Sequence, residues 1–72
     1  MPNHESLTDI EIVNAPWNKE LTISDATYEG GFKMLRIRIK EGKRFTDLEL
    51  DYETAAHMAE LIGKWAKDNT PA

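Results

Sequence analysis

The chain has 72 residues, of which 40% are apolar and 31% are charged, and its formal charge is -4. A chain of this length buries only about 60% of the surface that its unfolded form exposes, which leaves no room for a deep cofactor pocket. Because the sequence contains no cysteine, disulfides, thiolate metal sites and cysteine nucleophiles are excluded.

The composition indicates one small domain over residues 1–72, with residues 1–6 and 69–72 as disordered tails. No apolar run approaches the roughly 20 residues that a membrane helix needs. Residues 1–6 lack the basic and apolar regions of a secretory signal. We therefore expect a cytoplasmic protein that has no membrane partner.

The first half of the chain predicts two strands. Residues 9–12 alternate acidic and apolar side chains, and residues 20–24 alternate polar and apolar ones in a strand that runs towards Tyr28. Residues 14–18 predict a turn between them, because proline fixes φ and asparagine tolerates turn conformations. Gly30-Gly31 ends the second strand.

The third strand shows the clearest alternation in the chain. Its apolar side chains fall on one parity and its basic side chains on the other, so the strand has one apolar and one basic face. The apolar positions are Leu35, Ile37 and Ile39, and the opposite positions are Met34, Arg36, Arg38 and Lys40. Glu41-Gly42 is a plausible hairpin turn, after which residues 43–50 return as a fourth strand.

A two-residue loop at Glu41-Gly42 would place Arg36 opposite Asp47, Arg38 opposite Phe45 and Leu35 opposite Leu48. A three-residue loop with a bulge would shift every pair by one position. Phe45 shares the parity of Asp47, so either its ring is exposed or a bulge lies near Thr46.

A C-terminal helix follows the fourth strand. Asp51 is a good N-cap, Glu53 lies in the first turn, where the helix dipole favours an anion, and residues 69–71 end the helix. At 100° per residue, seven side chains fall in one apolar arc. They are Ala55, Met58, Ala59, Leu61, Ile62, Trp65 and Ala66. The predicted fold is α+β, a four-stranded antiparallel sheet followed by one amphipathic helix (ββββα).

This apolar arc is wide for a helix that covers one small sheet. We therefore predict that the same helix of a second copy covers part of it in a C2 homodimer. The predicted dimer interface is Met58, Leu61, Ile62 and Trp65. The alternative is that the N-terminal segment, through Leu7 or Trp17, folds over this flank.

The sequence offers little for catalysis or metal binding. Ser6 and His4 lie in the predicted tail, and His57 lies on the polar face of the helix, so no nucleophile is paired with an oriented base. Glu53, His57 and Glu60 share one helical stripe, but Lys64 beside them favours an ordinary solvated face over a metal site. We expect no enzyme, no metal and no cofactor.

The charges of the chain are unevenly distributed. Residues 33–44 contain six cations and one acid, a net +5, whereas the other sixty residues sum to -9. A basic strand with an aromatic side chain can follow a single-stranded nucleic acid, because cations meet phosphates and the ring stacks on bases. The candidate nucleic-acid-binding residues are Lys33, Arg36, Arg38, Lys40, Lys43, Arg44 and Phe45.

Two observations bear on that interpretation. The basic side chains could instead face acids on the neighbouring strand, where they would form ion pairs. Tyr28, Phe32 and Trp17 are further candidate stacking platforms, although packing at the sheet edge is the more usual role of such rings.

The order of the elements resembles a known family. Residues 17–23 read Trp-Asn-Lys-Glu-Leu-Thr-Ile, similar to the Trp-x-Lys-Glu-Leu opening of one strand in bacterial members of the positive-cofactor-four type of single-stranded-DNA-binding transcriptional coactivators. Residues 36–38 lie where those proteins carry a basic strand, and residues 48–51 resemble their last strand and helix cap. The resemblance covers residues 17–66. It implies a homodimer with helices at the interface and a curved sheet face that holds single-stranded DNA.

Two functions therefore remain open. The first is a small non-enzymatic binding or regulatory module that acts as a homodimer through protein–protein interaction. The second is binding of single-stranded nucleic acid through the basic strand.

Overall fold

The computed structural model describes residues 4–71. It confirms the predicted α+β fold, a four-stranded antiparallel sheet followed by one C-terminal helix. The elements are β1 (His4–Ala15), β2 (Lys19–Tyr28), β3 (Lys33–Glu41), β4 (Arg44–Leu50) and α1 (Tyr52–Asp68).

The strands follow one another across the sheet in the order β1-β2-β3-β4, and each pairs antiparallel with the next. Paired residues lie on the same side of a sheet, and successive residues alternate sides. One side, the apolar face, therefore carries Leu21, Ile23, Leu35, Ile37, Ile39, Leu48 and Leu50. The other side, the polar face, carries Ser24, Arg36, Arg38, Lys40, Phe45, Asp47 and Glu49.

The structure corrects the start of the first strand. β1 begins at His4, and His4 and Ser6 pair with β2, so residues 4–6 do not belong to a tail. The strand is longer than the short alternating segment that was predicted, and register shifts between His4 and Ser6 and between Asp9 and Glu11 interrupt its alternation. The rest of the predicted N-terminal tail, residues 1–3, lies outside the described residues, as does residue 72.

The β3–β4 hairpin also differs from its predicted register. Glu41 pairs with Arg44, so the loop is Gly42-Lys43, and every pair is displaced by two residues from the prediction. Gly42 has φ +61°, a left-handed conformation that glycine adopts without steric cost. The pairing of β3 with β4 runs without a bulge, and Phe45 is 55% exposed, as the first of the two alternatives predicted.

The helix begins and ends as predicted. The carboxylate of Asp51 accepts a hydrogen bond of 2.8 Å from the backbone N–H of Thr54. At the other end, the side-chain amide of Asn69 donates to the carbonyl oxygen of Trp65 at 2.9 Å. Both caps satisfy backbone groups that have no partner within the helix.

Burial in the described chain is slight. Ala26 and Leu50 are the buried apolar residues, and no residue of α1 is buried. The helix contacts β3 and β4 but neither β1 nor β2, and its half-buried residues are Ala55 and Met58. On the apolar face, Leu48 is 43% exposed, Leu50 is buried, and Leu21, Ile23, Leu35, Ile37 and Ile39 are half-buried. The helix leaves Leu61, Ile62 and Trp65 exposed.

Two measures of size agree with this openness. The accessible surface is 6016 Å², whereas a compact monomer of this mass exposes about 4,500 Å². The radius of gyration is 14.2 Å, whereas a compact domain of this length has about 11 Å. One copy of the chain therefore leaves much of its surface unpacked.

Two glycines provide a matched test of the backbone. Gly42→Ala should lower the free energy of unfolding by about 1–2 kcal/mol, because alanine is strained in the left-handed region. Gly63→Ala should raise it by about 0.5–1 kcal/mol, because alanine favours the helix. A Cβ at either position meets no atom within 4 Å, so packing does not enter. Urea denaturation measures the free energy of unfolding of both variants. Changes of the same sign in the two variants would contradict the assigned turn.

Candidate functional site

The polar face is built on ion pairs between β3 and β4. The Arg36 guanidinium donates from Nε and Nη2 to one oxygen of Glu49, at 3.0 and 2.8 Å. The Tyr28 hydroxyl donates to the same carboxylate, at 2.6 Å from Oε2, and so joins β2 to the pair. Arg36 and Glu49 are mostly shielded, with 17% and 24% of their side chains exposed. Shielding from water strengthens such a contact.

Arg38 forms a second ion pair on this face. Its Nε donates to Oδ1 of Asp47 at 2.8 Å, and its Nη2 donates to Oδ2 at 3.1 Å, in the two-bond geometry that guanidinium and carboxylate groups favour. Its guanidinium carbon also lies 5.4 Å from the centre of the Phe45 ring. The alternative that β3 cations face acids on the neighbouring strand is therefore confirmed for Arg36 and Arg38.

These contacts shift ionisation equilibria. The hydrogen bonds from Arg38 lower the pKa of Asp47 below its ordinary value, and the same contact raises the pKa of Arg38. The hydrogen bond to Glu49 raises the pKa of Tyr28. Each shift favours the protonation state in which the contact exists, so Arg36, Arg38 and Tyr28 form a connected set of contacts with Asp47 and Glu49.

The structure divides the predicted nucleic-acid-binding residues into two groups. Lys33 bonds to Asp25 at 3.0 Å and, like Arg36 and Arg38, has an acidic partner. Within residues 4–71, no ion pair joins Lys40, Lys43 or Arg44 to an acid. These three cations and Phe45 lie near the β3–β4 loop.

The β1–β2 loop lies at the same end of the sheet, because Ala15 pairs with Lys19, Lys19 with Glu41, and Glu41 with Arg44. We call this region the hairpin end; it comprises Trp17, Lys40, Lys43, Arg44 and Phe45. Trp17 is 87% exposed and has φ +62°, which is strained for a bulky side chain.

The other candidate stacking rings are arranged differently. Tyr28 and Phe32 stack on each other, with centroids 4.9 Å apart and planes 9° from parallel. These two rings lie at the β2–β3 loop, which is at the opposite end of the sheet from the hairpin end. The structure therefore does not bring them together with Trp17.

The predicted dimer-interface residues are largely uncovered in one copy of the chain. Met58 is half-buried, and the exposed fractions of Leu61, Ile62 and Trp65 are 53%, 60% and 68%. The alternative cover through Leu7 or Trp17 is wrong, because α1 does not contact β1 and Trp17 projects into solvent.

The uncovered apolar face of the sheet was not predicted from the sequence. One signal for it was present: a single residue, Asp51, separates β4 from α1. Connections between strands and helices that pack on each other usually have 2–6 residues, because the chain must reverse over the sheet. So short a connection limits how far the helix can turn back over its own sheet, and the helix contacts β3 and β4 alone among the described strands.

Among the residues that the structure describes, no three histidine or acidic side chains converge on a possible metal position, and Glu53, His57 and Glu60 form no such group. No helix in this part of the chain is long and apolar enough to cross a membrane. The cytoplasmic location stays a prediction.

The fold and these surfaces define a class of small α+β protein: an antiparallel four-stranded meander with a projecting C-terminal helix. Within that class, the chain belongs to the family of unknown function DUF6967, whose model matches residues 4–68. No curated protein and no solved structure matches the chain. The resemblance to the positive-cofactor-four type coactivators stays a prediction.

The Arg38–Asp47 ion pair has a measurable consequence for pH dependence. The lowered pKa of Asp47 adds stability above the ordinary carboxyl pKa of 3.8, and this stability is lost as pH falls through the folded-state pKa. Arg38→Gln should return the pKa of Asp47 towards 3.8. An NMR titration of the Asp47 carboxyl carbon measures this pKa. Lys64→Gln, which removes the exposed helix pair with Asp68, is the control and should leave Asp47 unchanged.

Proposed function

We propose that this chain is a non-enzymatic binding module that works as a homodimer and acts through protein–protein contact. The observation that carries the proposal is the uncovered apolar surface of α1 and the sheet. The accessible surface of one copy, 6016 Å², exceeds that of a compact monomer by about 1,500 Å². A standard protein–protein interface covers about 800 Å² on each partner.

The exposed side chains are of the kind that interfaces bury. Leu61, Ile62 and Trp65 form one stripe on α1, and burying a large apolar side chain contributes about 1.5–3 kcal/mol. Soluble monomers rarely expose contiguous apolar patches larger than a few hundred Å², and larger patches mark interaction sites. A second copy of the chain supplies the same stripe, as C2 symmetry requires.

The polar face supports protein contact over nucleic-acid contact. Arg36 and Arg38 are already bound to carboxylates, so a phosphate would have to displace Glu49 and Asp47. The chain as a whole carries -4, which repels a polyanion. In a dimer formed through α1 and the apolar faces, the polar faces stay open to a protein partner.

Sedimentation equilibrium of the full chain tests the dimer. We expect a mass close to twice 8.2 kDa at micromolar concentration. Ile62→Glu should convert the dimer to monomer, because a carboxylate buried in an apolar interface has no partner. Ala56→Glu adds the same charge on the side of α1 that faces away from Leu61, Ile62 and Trp65, and it should leave the mass unchanged. A wild-type monomer at high micromolar concentration would contradict the proposal.

A second candidate function is single-stranded nucleic-acid binding, and the hairpin end is the observation that favours it. Three cations without an ion-pair partner in the described chain lie at the same end of the sheet as two exposed rings, Trp17 and Phe45. Cations that contact phosphates and rings that stack on bases are the usual components of such a site.

Fluorescence anisotropy with a labelled oligothymidine tests this candidate. Binding should weaken steeply as salt rises, because phosphate contacts release counterions. The triple variant Lys40→Ala, Lys43→Ala, Arg44→Ala should lose more affinity than the variant Arg36→Ala, Arg38→Ala, which removes cations already engaged with acids. No binding at low salt, or the reverse order of the two variants, would contradict it.

A further inference from the structure

The apolar face of the sheet and the apolar stripe of α1 do not cover each other within one copy. Only Asp51 separates β4 from α1, and the helix contacts the sheet through its half-buried residues Ala55 and Met58. The helix has no contact with β1 or β2. The middle of the apolar face, around Ile23 and Ile37, therefore has no helix of its own chain above it.

The apolar face has defined borders. The ion pair of Lys19 with Glu41 closes it at the hairpin end, at 3.0 Å. The ion pair of Lys33 with Asp25 lies towards the other end, also at 3.0 Å. Beside this second pair, a groove of about 520 Å³ lies between the sheet and the start of α1, and it includes Ile10, Leu35 and Leu50. Between the borders, the central strands β2 and β3 carry Leu21, Ile23, Leu35, Ile37 and Ile39, while Glu11 of β1 and Thr46 of β4 lie beside them on the outer strands.

Three simple arrangements of two copies differ in what they cover. Contact between two helices alone would leave both apolar sheet faces in water, and contact between two sheets alone would leave both helix stripes in water. If the helix of each copy lies on the apolar face of the other, both surfaces are covered at once. A sheet that buries one face against helices is a stable layer arrangement.

We therefore infer that the homodimer is reciprocal: α1 of each copy packs its stripe of Leu61, Ile62 and Trp65 on the apolar face of the other copy. This inference rests on the proposed homodimer and specifies which surfaces it joins. The partner is a second copy of this chain.

The dimensions fit this arrangement. A helix of 17 residues is about 25 Å long at 1.5 Å per residue. Four strands about 4.8 Å apart place the outer strands about 14 Å from each other. The helix is therefore long enough to cross the sheet completely. Ile62 lies between Leu61 and Trp65 in the helix stripe. On the sheet, Ile37 lies between Ile23 and Leu48.

Chemical crosslinking tests the arrangement without background, because the natural chain has no cysteine. The variants Ile37→Cys and Ile62→Cys are prepared separately, mixed in the unfolded state, refolded together and treated with a short bis-maleimide. We expect covalent dimer in the mixture and none with either variant alone. Ile37→Cys mixed with Ala56→Cys, on the side of the helix that faces away from the stripe, is the control and should give none.

The outcomes separate the inference from the proposal on which it rests. Covalent dimer from Ile62→Cys alone would show helix–helix contact, and covalent dimer from Ile37→Cys alone would show sheet–sheet contact; either would overturn the reciprocal arrangement while the homodimer stands. Monomeric mass of both variants and of the natural chain before crosslinking would overturn the homodimer itself.

Tryptophan emission gives a second readout that needs no cysteine. The chain has two tryptophans, so Trp17→Phe leaves Trp65 as the sole indole. Its emission should shift to shorter wavelength in the dimer relative to the urea-unfolded chain, because the partner's sheet removes it from water. Emission of the folded dimer that matches the unfolded chain would overturn the arrangement.

Discussion

The one-residue connection between β4 and α1 is the constraint on which the rest of the structure depends. Asp51 ends the strand and caps the helix, so the chain has no length with which to turn the helix back over the sheet. In most small α+β domains, the helix and the sheet bury each other and form one core. Here the same two apolar surfaces are present, but the helix contacts only β3 and β4, and the buried apolar residues of the described chain are only Ala26 and Leu50.

That separation explains why a chain with 40% apolar residues has so small a core. The sheet keeps its shape through backbone pairing along four strands and through the ion pairs of its polar face, both of which are internal to one copy. The apolar face and the helix stripe are not part of that framework of backbone pairing and ion pairs. The proposed protein–protein function follows from this division, because what one copy leaves unpacked is available for association.

Alternation and capping predicted the elements, because each depends on neighbouring residues. The basic and apolar parities of β3 and the cap at Asp51 were visible in the sequence and are confirmed. The placement of the helix was not visible in the sequence. Amphipathicity indicates that one face of a helix packs on a partner, but it does not identify that partner. The division of the cations also depended on register: Lys40, Lys43 and Arg44 are chemically like Arg36 and Arg38, and only the pairing of strands separates them.

The carboxylate of Glu49 accepts from Arg36 of β3 and from Tyr28 of β2, so it links three adjacent strands. Sliding β4 by two residues, to the register that alternation alone suggested, would keep every side chain on its own face. It would also bring Lys40 opposite Lys43 and move Glu49 away from Arg36. Hydrophobic patterning cannot distinguish the two alignments, since they have the same parity. The three-strand link therefore favours one of two pairings of β3 with β4 that hydrophobic patterning alone does not distinguish.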